Sequence, residues 1–117
     1  MKTHKYAFWI AFVISAVLFF TPMSVGGRDG FGMDKIVHAG TFFALTFLSL
    51  KAFPSKKPFA VVLLLGYMFA TEFIQGRYLP LRHFDWWDIT FDSIGLILGI
   101  LVYLILNLLF VENEQQA

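Results

Sequence analysis

The chain contains no cysteine, which rules out disulfides, thiolate metal sites and thiol chemistry. It is also short of charge. Only 15% of its 117 residues are Asp, Glu, Lys or Arg, where a soluble domain carries about 25%. The net charge of +1 leaves no polybasic surface for a phosphodiester backbone, so nucleic acid is excluded as a partner. There is no internal repeat, no low-complexity tract and no linker long enough to separate two domains, and residues 1–117 read as one domain. What the chain has in plenty is apolar surface. Apolar residues make up 58% of it, 15 of them Phe. A soluble globule of this size has too little interior to bury so much, because small chains hide only about two-thirds of the surface they expose when unfolded.

The apolar residues fall into runs that suit a bilayer, whose core takes about 20 residues of helix. Four spans are expected, at about 6–23, 36–53, 58–75 and 89–110. The connections are short: a glycine-rich stretch at 26–32, the run Pro54-Ser55-Lys56-Lys57-Pro58, and residues 77–88 around Pro80. Short connections force successive helices to run antiparallel. The expected fold is therefore all-α, a polytopic bundle of four antiparallel transmembrane helices. The first span reads as an anchor and not a cleaved signal, because no small-x-small site follows Phe20. Lys2, Lys5, Lys51, Lys56 and Lys57 gather at the end that holds the N-terminus, against Arg28, Lys35, Arg77 and Arg82 at the other. The positive-inside rule then puts both termini in the cytoplasm of a bacterial cell, with the chain in the cytoplasmic membrane.

Antiparallel threading collects the polar residues. Asp34, Lys35 and His38 open the second span, Glu72 and Gln75 close the third, and Arg82, Asp88 and Asp92 lead into the fourth. All reach the same membrane face, the outer one in this orientation. Asp34 and His38 are four apart, Glu72 and Gln75 three apart, and Asp88, Asp92, Gly95 and Gly99 form one helical stripe. Gly95 to Gly99 is a GxxxG pattern that admits a neighbouring helix closely. It is read as packing within the chain, with a homo-oligomer as the alternative. Glu72 and Asp92 lie roughly 6–8 Å inside their helix ends at 1.5 Å per residue. Carboxylates at that depth mark a functional site by default. The competing reading is that they are ion-pair glue between helices, with Asp88 and Asp34 as helix N-caps.

The binding candidates are thus Asp34, Lys35, His38, Glu72, Gln75, Arg82, Asp88 and Asp92. No residue is assigned as catalytic, and His38 and Glu72 are the candidate acid and base. Ser93 lies beside Asp92 with no evident base, which argues against a serine triad. His38, Glu72, Asp88 and Asp92 are suitable donors for a divalent ion. They follow no spaced ligand motif, so neither a metal nor a cofactor is expected.

Asp34-Lys35-x-x-His38 opening one apolar helix, Glu72-x-x-Gln75 closing the next, and Pro80, Arg82, Asp88 and Gly95 entering the last resemble the VanZ-like family of small bacterial membrane proteins. The likeness spans about residues 33–99. Two positions depart from the family pattern: Pro80-Leu81-Arg82 replaces Pro-Gly-Arg, and Asp92 stands where Asn is usual. The resemblance implies an envelope role, since the founding member is linked to resistance to the glycopeptide teicoplanin. The leading expectation is a protein that is not an enzyme, with an outer-face site for an anionic membrane lipid or a lipid-linked envelope intermediate. An enzyme acting on a lipid-linked substrate and a small proton-coupled transporter are the alternatives.

Overall fold

The computed structural model describes residues 2–20, 33–78 and 86–116. All regular structure among them is helical. The elements are α1 (Lys2–Phe20), α2 (Met33–Ala52), a 3-10 turn at Pro54–Lys56, α3 (Lys57–Tyr78) and α4 (Trp86–Gln116). This agrees with the expected all-α bundle, with adjusted ends. The helix α2 begins three residues before its expected start, because Lys35 is drawn into the bundle by a partner on α4. At 31 residues α4 measures roughly 46 Å, longer than a bilayer core of about 30 Å, so its polar C-terminal turns project beyond the apolar layer.

The α2–α3 corner follows from Pro54. A residue before proline is pushed out of the helical region, and Phe53 sits at φ −128°, ψ 65°. Its N–H still bonds Ser49 O at 2.9 Å, closing the last turn of α2, before the chain turns into α3.

Three helices are long and apolar enough to cross a membrane by composition: Thr3–Phe20, Pro54–Ile74 and Trp86–Phe110. The fourth expected span, α2, has 20 residues but is interrupted by Asp34, Lys35, His38 and Lys51. Its place explains this. It lies between α1 and α4, and its Lys35, His38, Thr46 and Ser49 are buried against other helices. A helix shielded by protein need not match lipid all round.

Side-chain contacts fix the directions. Phe8 meets Phe53 at 5.7 Å and Phe19 meets Phe42 at 5.9 Å, so α1 and α2 are antiparallel. Tyr67 on α3 touches Phe12 at 4.8 Å and shares a 2.7 Å hydrogen bond with Ser15, both on α1. The α2–α4 pair runs parallel, with 39 beside 95 and 43 beside 99. The small residues at 95 and 99 make that approach possible. A Cβ built on Gly95 would sit 2.0 Å from the Ala39 carbonyl oxygen, and one on Gly99 would sit 2.9 Å from that of Phe43. The GxxxG stripe therefore serves packing within the chain.

The core is Phe8, Phe19, Phe42, Leu45, Leu64, Met68, Ile89 and Leu96 with Ala52. The outward apolar residues, such as Ile10, Val62, Ile97, Leu101 and Leu108, are exposed as a lipid-facing surface requires. Trp86 and Trp87 are exposed at the start of α4, in keeping with an interfacial aromatic belt. At the opposite end Lys5, Lys51 and Lys57 lie 5.7, 5.7 and 4.9 Å from the rings of Phe53, Phe47 and Tyr103. The ammonium groups lie over the ring faces, which is the cation–π arrangement.

Candidate functional site

Five Asp, Glu, Lys or His side chains are buried among the described residues, and all lie at one end of the bundle. They are Lys35 and His38 from the first turns of α2, Glu72 near the end of α3, and Asp88 and Asp92 from the start of α4. Helical spacing aligns them: 35 and 38 share one face of α2, and 88 and 92 share the face of α4 that continues into Gly95. The close α2–α4 approach brings the two faces together.

Lys35 Nζ donates to Asp88 Oδ1 as a buried ion pair. His38 Nδ1 lies 2.7 Å from Asp92 Oδ1, and its Nε2 lies 3.6 Å from Asp88 Oδ2. One face of the imidazole stacks on Phe19 of α1, with centroids 4.9 Å apart and planes 29° apart. The ring is thus held by a carboxylate at one nitrogen and by an aromatic plane across its face. His38, Glu72 and Asp88 each bring one donor atom within 4.8 Å of the others. Three carboxylates, one ammonium and one imidazole share this volume, which suits proton transfer, cation binding or both.

The structure brings together five of the eight residues expected at the site: Lys35, His38, Glu72, Asp88 and Asp92. Asp34 lies on α2 and Gln75 on α3, but their side chains are outside the described residues, as is Arg82. Arg77 is exposed on the last turn of α3 at the same end. Asp88 is not the N-cap of α4. The helix starts at Trp86, and the carboxylate is taken up by Lys35 and His38 instead. Asp34 likewise falls inside α2 and not at its cap, since that helix starts at Met33. Ser93 Oγ donates to Ile89 O at 2.8 Å and lies 3.5 Å from Met68 Sδ, which places its hydroxyl in helix packing.

One participant was not foreseen. Phe19 belongs to the first span, read from sequence as an anchor alone, yet it forms the wall behind His38. Nothing in the sequence separates this Phe from the chain's others. A second feature, an apolar cavity of about 840 Å³ between α1 and α3, is lined by Phe8, Trp9, Phe12, Phe59 and Tyr67 among others. It shares no residue with the buried ionisable cluster.

The family described as VanZ/LLP1 matches residues 2–107, nearly the whole chain, and the protein belongs to that family. The match takes in α1 as well as the motif-bearing helices. No curated protein and no solved structure matches the chain.

Proposed function

We propose that this VanZ/LLP1-family membrane protein binds the anionic headgroup of a membrane lipid or a lipid-linked envelope intermediate at the polar end of its bundle. The observation that carries the reading is the convergence of every described buried Asp, Glu, Lys and His side chain on that one end, from three different helices. Such groups are costly within a membrane and are kept for function. The positive-inside rule assigns this end to the outer face, where envelope intermediates are exposed. Arg77 and Arg82 are the phosphate ligands on this reading, since a guanidinium binds phosphate through two parallel hydrogen bonds. Lys35 adds a point charge oriented by Asp88, and Asp34 and Glu72 hold the other cations in place. The family link to teicoplanin fits a protein that alters access to, or display of, such an intermediate.

The test is native mass spectrometry of the protein purified from bacterial membranes, with teicoplanin susceptibility read in parallel. An anionic lipid adduct retained by the wild type and lost in Arg82→Ala and Glu72→Gln, at equal protein level, is the expected result. Retention of the same lipids by both variants, with unchanged susceptibility, refutes the reading.

A second reading has its own observation. The 2.7 Å contact between His38 and Asp92 is the pairing that orients an imidazole for proton transfer, and Glu72 stands beside it as a second carboxylate. It supports an enzyme acting on a lipid-linked substrate. Turnover of such a substrate by the wild type and its loss in His38→Gln would favour this reading over simple binding.

A further inference from the structure

We infer that His38, Glu72 and Asp88 form a binding site for a divalent first-row cation of the Zn²⁺ or Mn²⁺ type. The donor set is mixed, one imidazole and two carboxylates, which is borderline to hard and suits Mn²⁺, Fe²⁺, Co²⁺ and Zn²⁺ better than Cu⁺. Their donor atoms lie within 4.8 Å of one another, and all three side chains are buried. Three donors from three helices span the space that one ion fills, and leave further positions for water or for a phosphate oxygen.

The surroundings are what a metal-binding histidine requires. A ligating imidazole uses one nitrogen for the metal and donates the other N–H to a carboxylate, which fixes the tautomer and raises ligand basicity. Asp92 Oδ1 stands 2.7 Å from Nδ1. That fixes Nε2 as the coordinating nitrogen, and Nε2 is the one directed at Asp88 Oδ2, 3.6 Å away. Phe19 stacked across the ring stops it from turning. Asp88 divides its oxygens in the same manner: Oδ1 accepts from Lys35, and Oδ2 faces the histidine. Each of these two ligands is therefore oriented by a partner outside the ligand set.

The cation also deepens the headgroup reading. With the metal bound, an acid-rich cluster becomes able to take a phosphate oxygen directly. The site itself stands on its own geometry, so the test uses the metal alone and fails separately from any lipid measurement. Chelator-treated protein in detergent is titrated with Co²⁺ and with Mn²⁺ without added lipid. The expected result is about one ion per chain, a Co²⁺ ligand-field spectrum and imidazole nitrogen coupling to Mn²⁺ in pulsed electron paramagnetic resonance. His38→Ala removes the nitrogen coupling and Glu72→Gln weakens binding at least tenfold. Asp92→Asn, a positioning change, weakens it by about 10–100-fold while the nitrogen coupling persists. No binding by the wild type at millimolar metal overturns the inference. So does undiminished binding in both His38→Ala and Glu72→Gln. If the alanine variant does not fold, a wild-type spectrum without imidazole coupling overturns it equally.

Discussion

Gly95 gives the sharpest quantitative expectation, because the space around it is measurable. Adding one methyl group there, Gly95→Ala, puts a Cβ 2.0 Å from the Ala39 carbonyl oxygen, whereas real Cβ atoms do not come closer than 3.0 Å. The obstacle is backbone, so no rotamer relieves it. The axes of α2 and α4 must part by at least about 1 Å, and overpacking of that kind costs about 1–3 kcal/mol. The same displacement stretches the 2.7 Å contact between His38 and Asp92, which lies one helical turn away on the same interface. Gly40 and Gly66 supply internal controls, since a Cβ at either meets nothing within 4 Å. Replacing them with Ala removes the helix penalty of glycine, about 1 kcal/mol, and adds no clash. Thermal unfolding in one detergent, followed by size-exclusion recovery, should rank Gly95→Ala well below wild type, and Gly40→Ala and Gly66→Ala at or above it. Equal stability of Gly95→Ala and Gly40→Ala would refute the close α2–α4 packing on which the site geometry rests.

Two further expectations concern the buried polar contacts. Lys35→Met leaves the Asp88 carboxylate buried without its ammonium and should cost about 3–5 kcal/mol. Pairing it with Asp88→Asn should restore part of the loss, and a double variant no more stable than Lys35→Met would contradict the ion pair. The Ser15–Tyr67 hydrogen bond joins α1 to α3. A double-mutant cycle with Ser15→Ala and Tyr67→Phe should give a coupling near 0.6 kcal/mol, the usual size between membrane helices, and strict additivity would contradict it.

Much of this is legible in the amino-acid sequence. Run length and short loops determine a four-helix antiparallel bundle, and the order of polar residues along the chain places Lys35, His38, Glu72, Asp88 and Asp92 at one end. Periodicity states which residues share a helix face. It cannot state which face of one helix meets which face of another. That is why Lys35 with Asp88 and His38 with Asp92 were neighbours in level but not identifiable as pairs. The same gap leaves His38, Glu72 and Asp88 readable in sequence as donor types and not as one set: they lie on three helices, and a ligand motif is recognisable in sequence only when spacing along one segment sets the geometry. Phe19 was hidden because an aromatic residue in an apolar span carries no mark of what it touches. Run length reads α2 as a span like the others; that it contacts all three other helices is not legible in its sequence.

The central claim is that the polar end of the bundle faces the outside of the cell. The chain's lack of cysteine allows a direct test in intact bacteria. Single cysteines at Ser55, Gly30 and Tyr78 are treated with a membrane-impermeant thiol reagent. The account predicts labelling at Gly30 and Tyr78 and none at Ser55. Labelling at Ser55 alone would put the buried cluster against the cytoplasm and contradict an envelope-facing site.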